Sequence, residues 1–170
     1  DGSNQTRLTN NPANDWFPSW SQDGSKIAFQ SDRDANQEIY VMEADGSNQT
    51  RLTSNSAFDE SPSWSPDGSR IAFQSDRDGD QEIYLIDPDG SDRKRLTSND
   101  TNDWSPSWSP NGSKIAFVAD RDGNPEIYVM NANGSGRKRL TNNPSLDTFP
   151  SWSRDGLKIT FMSDREGKEE

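Results

Sequence analysis

Three observations on this 170-residue chain predict an all-β fold, a propeller of four-stranded antiparallel blades. The first is a fixed period. Trp20, Trp64, Trp108 and Trp152 lie 44 residues apart, as do Leu8, Leu52, Leu96 and Leu140. Such a period marks stacked supersecondary units, none of which buries its apolar surface alone. The second is that each copy holds four short runs separated by turn residues, with no helical spacing anywhere. The third is that one run per copy is apolar on both faces, as a strand between two neighbouring blades must be.

The second copy shows the elements in order. Pro62-Ser63-Trp64-Ser65 alternates large and small, which suits a strand. Pro66-Asp67-Gly68-Ser69 is a turn in which Gly is free to take positive φ. Residues 70–75 alternate again, with Ile71 and Phe73 on one face, and Arg77-Asp78-Gly79-Asp80 reverses the chain. Residues 81–86 are the most apolar run: Ile83 and Leu85 point one way, Tyr84 and Ile86 the other. After the Asp89-Gly90 turn, Lys94-Arg95-Leu96-Thr97 is a short polar strand suited to an exposed outer edge, where charge deters edge-to-edge pairing. The Trp strand is then innermost and lines the channel. One domain is expected, built of repeats 1–44, 45–88, 89–132 and 133–170.

Composition alone points elsewhere. Leu, Ile, Val and Phe number 25 of 170 and the net charge is −11, a balance usual for disorder. The repeat overrules it, because the few apolar residues recur at the same offsets. The chain has no His and no Cys. That removes most nucleophilic triads, thiol chemistry, disulfides and the usual zinc sites. No apolar run is long enough to span a membrane, so no membrane insertion is expected. The acidic balance argues against a nucleic-acid partner.

The string SPSWSPDGSRIAFQSDRDGDQEIYLIDPDGS and its three sisters resemble the repeats of the TolB-type β-propeller family, a Trp-Asp-repeat-like group marked by Pro-Ser-Trp-Ser-Pro-Asp-Gly. The likeness covers nearly the whole chain. Its departures are Gln22 and Arg154 for the second Pro, Asn111 for the turn Asp, and Ala119 for the Ser before Asp120. The resemblance implies a non-catalytic scaffold that binds a peptide or protein partner at the loop end of the channel, in a periplasmic or extracellular setting and without a cofactor. Two alternatives stand beside it: a propeller gate or accessory domain of a larger hydrolase, and a purely structural repeat array that self-associates. By strand order, the fourth blade takes its first two strands from the C-terminal residues and could take its outer strand from residues 4–9. An incomplete fourth blade leads us to expect association, a homodimer foremost.

Two constellations recur. Asp15, Asp59, Asp103 and Asp147 precede the Trp strands, and Arg33, Arg77, Arg121 and Arg165 follow the second strands. Both sets fall at one blade end, so a structural Arg–Asp pair is expected in each blade, in preference to an anion-binding ring. The turns at 76–80 and 120–124 carry closely spaced oxygen ligands of the kind calcium favours, but ordinary turn chemistry explains their Asp and Gly, and no metal site is expected. Carboxylates copied from blade to blade do not make the unique pair that glycoside hydrolysis needs. The glycosylation patterns Asn4-Gln5-Thr6 and Asn48-Gln49-Thr50 are by-products of the repeat. The positions that differ between copies are more telling. Trp16, Phe17, Phe58, Trp104 and Phe149 all enter or begin the Trp strands and so gather at one end of the propeller. They are the candidate partner-binding residues, because loops on a rigid scaffold carry binding and aromatic anchors dominate interfaces. The competing reading is that these rings plug the gaps between blades.

Overall fold

The structure is a computed structural model that describes residues 2–167. The innermost strands are β1 (Asp15–Trp20), β5 (Asp59–Trp64), β9 (Asp103–Trp108) and β13 (Asp147–Trp152). The second strands are β2 (Lys26–Ser31), β6 (Ile71–Ser75), β10 (Lys114–Ala119) and β14 (Ile159–Ser163). The third strands are β3 (Glu38–Glu43), β7 (Glu82–Ile86) and β11 (Glu126–Asn131), and the outer ones β4 (Thr50–Arg51), β8 (Lys94–Arg95) and β12 (Lys138–Arg139). They form three four-stranded antiparallel sheets, β1 to β4, β5 to β8 and β9 to β12, and a two-stranded sheet of β13 and β14. The architecture is the all-β, incomplete propeller read from the sequence. Glu170, the fourth counterpart of Glu38, lies outside the described residues.

The inner strands touch one another across the blades, β1 with β5, β5 with β9 and β9 with β13, so they bound the channel. Between blades lie apolar layers. Tyr84 and Ile86 of β7 join Ile71, Phe73 and Trp64 against Ala28, Ile39 and Val41 of the first blade. Ile83 and Leu85, on the other face of the same strand, join Ile115, Phe117 and Met130 of the third blade. A strand that is apolar on both faces is thus required by two layers at once. Packing of this kind supplies the burial that the sparse apolar composition must deliver, about 25 cal/mol per Å² removed from water.

The turns are held locally. Asp67 accepts hydrogen bonds from the Ser65 hydroxyl and the Ser69 amide at 2.6 and 3.1 Å, and Gly68 turns the chain at φ 70°. Gly134 shows a stricter need. It adopts φ 90°, and a Cβ there would meet the Leu96 carbonyl oxygen at 2.8 Å.

Two expectations are corrected. The outer strand of the second blade spans Lys94–Arg95 only, not 94–97. There the ladder is only half-made: the Leu96 amide still donates to the Ile83 carbonyl at 2.7 Å, but Thr97 Oγ1 accepts the Ile83 amide at 2.8 Å, a bond a backbone carbonyl would otherwise take, and the Leu96 side chain enters the inter-blade core. Residues 4–9 form no strand and do not join the fourth sheet. Leu8 instead packs on Ile27, Phe29, Tyr40 and Met42 of the first blade, with its carbonyl accepting from Gln49 Nε2 at 3.3 Å.

One feature of the inner strands repeats in all four blades. The pairing register shifts between Trp16 and Ser19, Glu60 and Ser63, and Thr148 and Ser151, and it shifts again on β9. Within each bulge one non-glycine residue is left-handed: Phe17 (φ 49°), Ser61 (52°), Ser105 (51°) and Phe149 (51°). Such a conformation costs a non-glycine residue about 1–2 kcal/mol. The preceding blade supports two of the bulges. Gln30 Oε1 accepts the Ser61 amide at 3.0 Å and Gln74 Oε1 accepts the Ser105 amide at 2.8 Å.

Candidate functional site

The repeated Asp and Arg residues meet in every blade. Arg33 Nη2 lies 3.0 Å from Asp15, Arg77 2.7 Å from Asp59, Arg121 2.9 Å from Asp103 and Arg165 2.6 Å from Asp147. The carboxylates of Asp59, Asp103 and Asp147 are fully buried. Each guanidinium of the first three blades also covers a tyrosine ring, at 4.5 Å from Tyr40, 4.6 Å from Tyr84 and 4.9 Å from Tyr128. This arrangement pairs each arginine with the aspartate of its own blade.

The pairs belong to a larger polar relay that the sequence reading did not single out. Buried Glu82 accepts from Arg95 Nη2 at 2.9 Å and from the Asn99 amide at 2.7 Å. Asn99 then donates through Nδ2 to Asp103 of the next blade at 2.9 Å. Glu38 with Arg51 and Asn55, and Glu126 with Arg139 and Asn143, repeat the arrangement and hand on to Asp59 and Asp147. The signal was available, since Glu38, Glu82 and Glu126 share the 44-residue spacing.

Electrostatics differ along this relay. Burial pushes the Asp103 carboxyl up, and Arg121 opposes the rise without overcoming it. Burial also raises Asp15 and Asp147, but hydrogen bonds outweigh it in both. Ser31, Thr9, Arg33 and Asn11 hold Asp15 below its ordinary value, and Arg165, Ser163 and Asn143 lead for Asp147. Asp103 and Asp147, which accept from Asn99 and Asn143, tie their blades to the preceding ones.

The five aromatic candidates lie at the end of the propeller where the Trp strands begin, but not in one hollow. Phe17 and Phe149, 47% and 50% exposed, meet Pro18, Pro62, Pro106 and Pro150 in a shallow basin of about 180 Å³ shared by all four blades. Both phenylalanines are themselves the left-handed residues of their bulges. Trp104 lines a separate hollow of about 360 Å³ between the second and third blades, with Asp76, Gly79, Gln81 and Asn102. Phe58 (49% exposed) and Trp16 (37%) line neither. Sequence reasoning missed the four prolines, whose 44-residue spacing reads equally well as strand punctuation.

The last residues of the inner strands face a second opening. Trp20, Trp64, Trp108 and Trp152 flank a cleft of about 640 Å³ that also includes Gln22 and Arg154. Trp152 Nε1 donates to the Ser107 carbonyl of the preceding blade at 3.1 Å, so this ring stitches blades together. Among the described residues no group of three or more acidic side chains could hold a metal ion, and no helix is long and apolar enough to cross a membrane.

The TolB beta propeller domain family model matches residues 3–105 and 98–170. Among solved structures, the chain is similar to TolB from Acinetobacter baumannii, with 30% identity and a TM-score of 0.84 over 95% of this chain and 41% of that one. It is similar to a putative TolB from Agrobacterium tumefaciens at 23% identity and a TM-score of 0.78, over 92% of this chain and 72% of that one. It also resembles a puromycin hydrolase at 15% identity and a TM-score of 0.76, over 92% of this chain and 26% of that one, a likeness of fold alone. The chain therefore spans 41% of the length of the first of these relatives. No curated protein sequence matches it.

Proposed function

This chain belongs to the TolB beta propeller domain family, and from that premise we propose that it is a non-catalytic scaffold gripping an extended segment of a protein partner at the loop end of its channel. The observation that carries this reading is the basin of Phe17, Phe149 and the four prolines. A ring whose task is to plug a gap between blades is buried by that task. Phe17, Phe58 and Phe149 instead keep about half of their surface in water. Each strained bulge costs stability, and strain of this kind gathers where it positions groups for binding. Proline and phenylalanine together offer a rigid apolar floor whose side chains lose little entropy on binding.

A library of displayed linear peptides, panned against the protein and against Phe17→Ser/Phe149→Ser, tests the proposal. The expected result is a set of binders with an aromatic or aliphatic anchor, lost with the double variant, whose melting temperature stays within a few degrees of the parent. Absence of selected binders, or binders indifferent to the double change, would overturn it.

Periplasmic or extracellular placement is proposed on the strength of the family. Pairing of two chains is proposed from β14, which has no strand partner on its outer side among the described residues and so offers a free edge. Light scattering near twice 19.0 kDa across a dilution series supports pairing, and a mass near 19.0 kDa throughout refutes it. The hydrolase-domain alternative gains no support from specific residues, since the likeness to puromycin hydrolase is one of fold.

A further inference from the structure

The hollow between the second and third blades differs in kind from the apolar basin beside it. Trp104 lines it from the third blade, Asp76 and Gln81 from the second. Beside it stands Glu60, whose Oε2 accepts from Gln74 Nε2 at 3.0 Å and from Gln81 Nε2 at 3.5 Å. No donor reaches Glu60 Oε1 among the described residues. Asp76 Oδ1 accepts the Phe58 amide at 2.8 Å. In the neighbouring blades the equivalent aspartates, Asp32 and Asp120, also receive a side-chain amide on Oδ2, from Asn14 at 3.1 Å and from Asn102 at 3.2 Å. Phe58 occupies that position in the second blade, and Asp76 Oδ2 has no such donor among the described residues.

The 44-residue register shows that this combination occurs once. The residues equivalent to Glu60 are Trp16, Trp104 and Thr148. Between the first and second blades the order is Trp then Glu, and between the third and fourth it is Trp then Thr. At this register position, only the second junction combines an acid on one blade with an aromatic residue on the next. The nearby Arg77 does not neutralise it, being committed to Asp59 through both carboxylate oxygens and stacked on Tyr84. Burial, together with the negative charges of Asp76 and Asp59, pushes the Glu60 carboxyl up, so the surroundings disfavour another negative charge.

We propose that this hollow is a subsite for one cationic side chain of the bound peptide, a lysine ammonium or an arginine guanidinium. Trp104 supplies a π face for the cation, Asp76 and Glu60 supply the counter-charge, and Gln74 holds Glu60 in place. The net charge of −11 draws such a cation in from a distance. The proposal rests on the peptide-binding reading above and names the chemistry of the partner: an apolar anchor in the basin and a basic residue in the hollow.

The test uses small probes, so it does not depend on finding the peptide. The indole N–H signal of Trp104 is assigned by its loss in Trp104→Phe. It is then followed by NMR while n-butylguanidinium or n-butylammonium chloride is titrated in at constant ionic strength, with neutral N-butylacetamide as control. Both cations are expected to shift the signal saturably in the millimolar range, and Glu60→Gln/Asp76→Asn to weaken the effect by about tenfold. If the double variant unfolds, Glu60→Gln alone carries the test, with an expected weakening of about threefold. An equal shift with the neutral amide, or unchanged affinity in the variants, overturns the proposal. Peptides that bind the basin but show no preference for Lys or Arg also overturn it while leaving the scaffold reading intact. Cation binding without any peptide binder sinks the scaffold reading alone.

Discussion

Replacing Arg77 by alanine should destabilise the protein far more than the same change at Arg165. Both arginines face a fully buried aspartate, but the Arg77 side chain is 15% exposed and that of Arg165 47%. Arg77 bonds both oxygens of Asp59, at 2.7 and 2.9 Å, and lies 4.6 Å from the Tyr84 ring centre. Its loss leaves a buried carboxylate whose remaining side-chain donor among the described residues is Asn55, at 2.6 Å. Breaking a buried pair from one side costs about 3–5 kcal/mol. For a chain of this length each kcal/mol lowers Tm by about 2–4 °C, so a fall of about 10 °C is expected. Arg165 is screened by water, and Asp147 keeps Ser163 at 2.7 Å and Asn143 at 2.8 Å. Its removal should cost about 1 kcal/mol, in the range of an exposed pair. Scanning calorimetry of both variants measures the difference. A Tm for Arg77→Ala within 2 °C of the parent (about 1 kcal/mol or less), or an equally large fall for Arg165→Ala, would show that the repeated pairs do not hold the blades.

Other outcomes follow from the same geometry. Gly134→Ala should lose more stability than Gly123→Ala: both are left-handed, but a Cβ at 134 meets the Leu96 carbonyl at 2.8 Å while one at 123 meets nothing within 4 Å. A difference of about 1 kcal/mol or more in urea unfolding is expected, and equal losses would contradict the clash. Tyr84→Phe should cost about 1 kcal/mol by removing the hydroxyl that donates to Asp78, with the tilted ring contact to Phe73 intact. Asp15, Asp147 and Glu126 are held below their ordinary values in the fold. Their stabilisation is therefore present above the unfolded pKa, about 4, and is lost as pH falls through the lower folded values. Tm should hardly change between about pH 7 and 5 and fall steeply below about 4. Asp103, raised by burial, works in the opposite direction and softens that fall. A Tm that rises on acidification below pH 4 would contradict these assignments.

The parts of the fold legible in the sequence are those in which each repeat states its own requirement. Alternation in residues 70–75, two-sided apolarity in 81–86 and the Asp-Gly turns each demand a local structure that neighbouring blades then reinforce. The Arg–Asp pairing was also legible, because two charged sets at one blade end leave few other arrangements. The bulges were not. Pro62-Ser63-Trp64 alternates like a plain strand, and nothing in a serine or phenylalanine announces the left-handed backbone at Ser61 or Phe149. The outer strand was overestimated because Thr97 suits a strand by propensity, whereas its hydroxyl takes over a ladder bond. The sequence shows the aromatic residues at the start of the Trp strands, but not their division between a proline-floored basin and an acidic hollow. That division depends on which residue of one blade faces which residue of the next, a relation 44 positions apart in the chain.

The asparagine link between blades has an evolutionary consequence. Asn55 donates its backbone amide to Glu38 and its side-chain amide to Asp59, and Asn99 and Asn143 do the same one and two repeats later. Every junction is assembled from the trailing half of one repeat and the leading half of the next. Duplicating or deleting any 44-residue segment in frame therefore recreates the same junction at its splice, wherever the break falls. Recombination can lengthen or shorten such an array without inventing an interface, while the few unrepeated residues at the rim remain free to diverge toward a partner.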